Sequence, residues 1–226
     1  MPGGTTQPEA LAQLAVLEQQ YPEFRRLLEY RNPFQLLVAA ILSAQTTDAS
    51  VNAATPALFA RYPDAAALAN ANPAELEGLI RTIGLYRSKT RNLLACARAL
   101  LERHGGEVPL TMEELTALAG VGRKVAGVIV ATVAGKPAVI VNTHFGRVAR
   151  RLGWTEAQAP KAVEADVSAL ISAEHWTSAS MRLNYLGRDY CHARKRPDCE
   201  HCPLTDLCPS SLGGADPGVS VSGTAG

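Results

Sequence analysis

Residues 112–131, MEELTALAGVGRKVAGVIVA, read as a helix, a tight turn and a second helix. Gly120 and Gly122 can take the positive φ values that a short turn demands, and residues without a Cβ let another backbone approach closely. Behind the turn, the first N–H groups of the second helix have no intrahelical partners. That end carries the positive pole of the helix dipole and suits an anion, a phosphate diester above all. A plain αα-hairpin that needs a glycine cap is the competing reading of G-x-G alone. Lys124 shifts the balance, because a lysine at the positive end of a helix is electrostatically misplaced and its pKa is expected to fall. A partly neutral amine is what a Schiff-base nucleophile needs. A solvent-facing lysine with no role is the alternative.

Outward from this hairpin, apolar residues keep helical spacing over 9–19, 33–44, 64–70, 74–82, 87–104, 112–118, 123–134, 142–151, 160–172 and 178–190, which predicts an all-α fold. Asn32-Pro33 and Asn72-Pro73 are turn-then-helix starts, with proline tolerated in the first turn. The β-branched stretches AVIVNTHFGRV (138–148) and VIVATV (128–133) would suit strands. Neither has a hairpin partner with turn chemistry, so helix is the expectation there too. Pro56, inside NAATPALFARY (52–62), predicts a kink or a helix restart. The first seven and last eighteen residues lack periodicity and are expected to be disordered.

With 226 residues, 47% of them hydrophobic and 19% charged, the chain can bury a substantial core. A net charge of +1 does not announce a polyanionic partner, so any nucleic-acid site must come from local patterning. Basic residues do cluster: Arg81, Arg87, Lys89 and Arg91; Arg147, Arg150 and Arg151; Arg194, Lys195 and Arg196. Together they predict a phosphate track, which would position a duplex without reading its sequence. The N-terminal helix is amphipathic rather than a signal peptide. The apolar runs FQLLVAAIL and VAGVIVATVAG fall short of the roughly 18 residues needed to span a bilayer, so a soluble, cytoplasmic protein is expected.

Five cysteines are unevenly placed. Cys96 lies in the helical run NLLACARALL and reads as a core thiol. Cys191, Cys199, Cys202 and Cys208 form Cys-x7-Cys-x2-Cys-x5-Cys, close enough to share one metal centre. Without a secretion signal, metal is favoured over disulfides, and zinc is the generic reading.

LAGVGRK (118–124) closely resembles the helix-hairpin-helix signature of endonuclease III-type DNA glycosylases. The resemblance extends through PFQLLVAAILSAQTTDASVN (33–52), IRTIGLYRSKTRNL (80–93), GEVPLTMEELTALAGVGRK (106–124), VNTHFGRVARRLG (141–153) and the cysteine cluster, in the family's order. It implies a bifunctional DNA glycosylase and abasic-site lyase that removes oxidised pyrimidines from duplex DNA in base-excision repair. Lys124 matches the catalytic lysine, whose amine attacks C1′ of the flipped nucleotide. The base leaves, an imine forms and β-elimination breaks the 3′ bond. Gln45 and Leu85 match the residues that fill the gap left in the stack. Gly120, Val121, Gly122, Arg123, His144 and Lys195 fall at further DNA-contacting positions.

The resemblance also implies a [4Fe–4S] cluster on the four cysteines, although the family spaces them Cys-x6-Cys-x2-Cys-x5-Cys and this chain has one extra residue in the first gap. It implies two domains with DNA in the cleft between them. One is a helical bundle over 30–140. The other is a cluster domain over 141–208 that packs with the helix of the N-terminal segment 1–29, and 209–226 is a tail. The expected partner is damaged or abasic double-stranded DNA, with no membrane, for a monomer working at the bacterial nucleoid. One position departs from the family: VNTH stands where the family has VDTH, placing Asn142 at the catalytic aspartate. Asparagine can hydrogen-bond but cannot accept a proton or carry charge, which implies crippled excision. Two origins fit it: a divergent paralogue, or a substitution made to stall the enzyme on DNA.

Overall fold

A computed structural model describes residues 4–212. Among the described residues it contains eleven α-helices and no strand. They are α1 (Gln7–Gln20), α2 (Pro33–Leu42), α3 (Asp48–Arg61), α4 (Ala65–Ala69), α5 (Pro73–Leu79), α6 (Tyr86–His104), α7 (Met112–Thr116), α8 (Arg123–Thr132), α9 (Thr143–Arg151), α10 (Pro160–Leu170) and α11 (Ala173–Asp189). The chain forms two compact units, Phe24–Ile140 and a second that joins Met1–Glu23 to Val141–Gly226. None of the described helices is long and apolar enough to cross a membrane.

The first unit is built around α2. Its sequence PFQLLVAAIL is apolar on every face, and Phe34 and Leu36 through Leu42 are all buried, so this helix must sit inside others. Asn32 starts it by accepting a hydrogen bond from Gln35 N at 2.9 Å, with Pro33 supplying the preset first turn. Helices α3, α6 and α8 pack on α2, and α4 and α5 pack on α6. Helix α3 continues through Pro56, against the expected restart. The ring lies on the exposed side, while Val51, Ala54, Thr55 and Leu58 bury the opposite face and hold the helix together across the missing N–H.

In the second unit α9 packs on α11, and α1 packs on α11. Gln13 pins α1 down: its Nε2 donates to Leu207 O at 2.8 Å and its Oε1 accepts from Trp154 Nε1. The expected disorder of the first residues does not hold for those described. Thr5 Oγ1 donates to Leu152 O at 2.6 Å, and Thr6 forms a capping box with Glu9. Residues 209–212 are likewise placed, with Ser211 N donating to Cys208 O at 3.0 Å. Residues 1–3 and 213–226 lie outside the described residues. Two further corrections concern boundaries. Residues 136–142 form no regular element, because α9 begins only after the Asn142 cap. Helix α11 starts at Ala173, after Ser172, rather than at 178.

Candidate functional site

The hairpin is anchored by buried Leu115, Leu118 and Val121, and Val121 N closes the turn on Leu118 O at 3.2 Å. The two glycines differ, contrary to the shared role read from the sequence. Gly120 has φ +78°, and a Cβ there would stand 2.9 Å from the Asn92 Cβ on α6. Gly122 is extended (φ −87°, ψ 175°), forms the N-cap of α8, and has nothing within 4 Å of where a Cβ would be. The protein itself therefore requires glycine at 120, whereas only an outside partner could require it at 122. Arg123 and Lys124 follow at the first two positions of α8, both exposed. Gly120→Val should lower the melting temperature by roughly 2–8 °C, given about 1–2 kcal/mol for left-handed backbone and the domain's size. Gly122→Thr exchanges caps of similar rank and should leave melting unchanged, while weakening binding to damaged and undamaged duplex alike by roughly tenfold. Thermal melts beside duplex titrations check both; unaltered duplex affinity in Gly122→Thr would contradict a phosphate-binding turn.

Two turns in the same unit hold the non-glycine residues with positive φ among those described, Gln45 at +53° and Leu85 at +60°. Such backbone costs of order 1–3 kcal/mol per residue, and outliers of this kind cluster at functional sites. Leu85 adds a second cost, since it is 61% exposed despite being apolar. The turns lie close together: a Cβ on Gly84 would stand 3.5 Å from Gln45 O and 3.8 Å from Thr46 Oγ1. Lys89, expected on the surface track, is instead 4% exposed. Its ammonium donates to Leu42 O at 2.8 Å, Ala44 O at 2.7 Å and Thr46 Oγ1 at 2.8 Å, and burial lowers its pKa. Arg81, Arg87 and Arg91 are exposed around it.

In the second unit Asn142 is the N-cap of α9. Its Oδ1 accepts from His144 N and Phe145 N, each at 2.9 Å. The three arginines of α9 do not form the surface track expected of them. Arg147 donates to Cys191 O at 2.9 Å and Gly187 O at 2.8 Å, and lies 3.1 Å from His144 Nδ1; burial lowers its pKa. Arg150 donates to Ala157 O at 3.2 Å. Arg151 donates to Cys191 Sγ and to His192 O, both at 3.0 Å. Their i, i+3 and i+4 spacing gives no hint that Gly187, Cys191 and His192, at and just after the end of α11, will meet Arg147 and Arg151. Arg194, Lys195 and Arg196 are exposed.

Cys191, Cys199, Cys202 and Cys208 line one pocket together with Leu186, Leu204 and Arg151. The extra residue of the first gap is absorbed in the loop after Cys191, which Asp198 N closes by donating to Tyr190 O at 3.0 Å. Burial pushes the Cys202 thiol up to about 11 and raises that of Cys208. No three His, Cys, Asp or Glu groups among the described residues converge on the position of a single ion. Cys96 is a buried core thiol whose pKa burial pushes up to about 12.

Residues 38–173 match the HhH-GPD superfamily of base excision DNA repair proteins. Endonuclease III of Synechocystis sp. is 47% identical over 199 residues, 88% of this chain and 90% of that protein. Two solved structures are similar throughout. One is a trapped endonuclease III–DNA covalent intermediate in an estranged-adenine complex, with TM-score 0.87 and 39% identity over 91% of this chain and 97% of that one. The other is a non-covalent endonuclease III–DNA complex, with TM-score 0.86 and 40% identity over 91% and 96%. The chain belongs to the endonuclease III family of the HhH-GPD superfamily of base excision DNA repair proteins.

Proposed function

We propose that this base-excision DNA glycosylase and abasic-site lyase acts on oxidised pyrimidines in duplex DNA, with Lys124 as the nucleophile. The observation that carries the assignment of Lys124 is its place: exposed, at the second position of α8, two residues after a glycine cap that faces open space. Backbone N–H groups of that turn would hold a phosphate, and Gly120, Val121, Gly122 and Arg123 would line its approach. Extrusion of the damaged nucleotide brings C1′ to the Lys124 amine, which displaces the base. The base leaves with one amine proton, and the C1′–O4′ bond then opens as O4′ takes the other, which leaves an imine. Loss of a proton from C2′ breaks the 3′ C–O bond and the phosphate departs. Gln45 and Leu85 would fill the vacated stack. His144 and Lys195 would contact the DNA backbone from the second unit. On this reading the protein would work on bacterial DNA in the cytoplasm. Nicking of duplexes tests the reading: a preformed abasic site should be cut, an oxidised pyrimidine far more slowly, and undamaged duplex not at all. A protein that cuts none of them overturns it.

Asn142 favours a second reading, a damage binder that excises no base, since an amide at this position can cap α9 but cannot accept a proton or carry charge. The same duplex series separates the two, because a pure binder leaves abasic DNA intact.

Cys191, Cys199, Cys202 and Cys208 would hold a [4Fe–4S] cluster, whose contribution is to fold the basic loop 192–198 into a fixed shape. Replacing any one of them by alanine should bleach a brown protein and lower its yield, while Cys96→Ala keeps the colour. Metal analysis of anaerobically prepared protein that finds zinc and no iron would overturn the cluster.

A further inference from the structure

Lys89 spends a buried charge on one small region of the first unit. All three of its N–H donors are used, on Leu42 O, Ala44 O and Thr46 Oγ1 at 2.7–2.8 Å. Leu42 ends α2, whose last carbonyls have no intrahelical partners, so a cation is favoured there. A plain helix cap would stop at that carbonyl. This ammonium reaches on to the residues immediately before and after Gln45, and so brackets the strained position. Its own backbone completes the link, because Lys89 N donates to Leu85 O at 3.0 Å in the opening turn of α6. One residue is thus bonded by its side chain around Gln45 and by its main chain to Leu85. Gln45 and Leu85 have positive φ, and the turns that bear them lie so close at Gly84 that an added Cβ there would meet Gln45 O at 3.5 Å.

Left-handed backbone at non-glycine residues persists only where the surroundings enforce it. An exposed leucine and glutamine held so gain nothing for the isolated fold. They gain if the two side chains must already stand at a fixed spacing when a duplex arrives, because ordering them on binding would cost affinity. We propose that Lys89 is a positioning residue that locks the Gln45 and Leu85 turns into one preorganised wedge for the gap left by an extruded nucleotide. This rests on Gln45 and Leu85 being the gap-filling pair, as read under the proposed function.

The test uses a duplex with a stable tetrahydrofuran abasic analogue opposite 2-aminopurine, whose fluorescence rises when its stacking is lost. Lys89→Met keeps the apolar stem and removes the donors. It should lose most of the fluorescence rise and roughly tenfold in affinity for this duplex, with undamaged-duplex affinity kept within about twofold. Added to Gln45→Ala/Leu85→Ala, it should change the signal no further, since both act through the same element. If Gln45→Ala/Leu85→Ala itself retains the full signal, the gap-filling reading fails. If that variant loses the signal and Lys89→Met keeps it, the positioning role alone fails. Should circular dichroism show Lys89→Met unfolded, Thr46→Val decides: it removes one acceptor beside Gln45, and an unchanged signal overturns the proposal.

Discussion

Asn142→Asp is expected to raise base excision by about 10²–10⁴-fold, the usual worth of a positioned proton-transfer group. The fold should not resist the change. Asn142 caps α9 through Oδ1 alone, accepting from two N–H groups at 2.9 Å, and aspartate offers the same oxygen with added charge. An anion at the start of a helix is favoured by the dipole, so stability should hold or rise slightly. On the proposed function, the second carboxylate oxygen would supply what the amide nitrogen cannot, a proton acceptor and a negative charge for the cationic transition state. Affinity for abasic duplex should change little. Nicking at a preformed abasic site should rise less than excision, because the sugar aldehyde needs no base departure. Single-turnover rates on an oxidised-pyrimidine duplex and an abasic duplex, measured side by side, check both statements. Equal excision by the parent chain and its Asn142→Asp variant would contradict the role assigned to this position.

Lys124→Ala is expected to abolish strand cleavage at abasic sites, while abasic-duplex affinity stays within about threefold, since phosphate contacts dominate binding. Lys124 is exposed on the first turn of α8, alanine has the best helix propensity, and a cation at a helix N-terminus is disfavoured. Melting temperature should therefore be unchanged or slightly higher. Loss of reaction without loss of stability is what separates a group retained for chemistry from one retained for packing. Incision assays beside thermal melts give the comparison, and residual cleavage at the parent rate would remove Lys124 from the mechanism.

Much of this is legible in the sequence because local chemistry dictates it. The all-round apolar α2, its Asn32-Pro33 start and the hairpin anchored by Leu115, Leu118 and Val121 follow from periodicity and turn residues. What escapes depends on neighbours remote in sequence. Pro56 signals a break unless its ring falls on the exposed face of a helix whose other face is buried, which only packing reveals. Thr5 looks like part of a loose terminus because its partner, Leu152, lies far along the chain. Lys89 sits among arginines that are exposed, and nothing local says that the end of α2 will close over it. Arg147 and Arg151 escape for the same reason, their acceptors lying some forty residues downstream at the end of α11 and in the cysteine loop. Glycines 120 and 122 look alike in sequence, and only backbone geometry separates the one the fold needs from the one left open to a partner.

Borohydride trapping on an abasic duplex tests the central claim most directly. A Lys124 imine would be reduced to a stable amine, so this chain should yield a protein–DNA adduct that survives denaturation, and digestion with mass spectrometry should place the linkage on Lys124. Asn142→Asp should give the same adduct faster, and Lys124→Ala should give none. No adduct from the parent chain, or an undiminished adduct from Lys124→Ala, would contradict lysine-mediated chemistry.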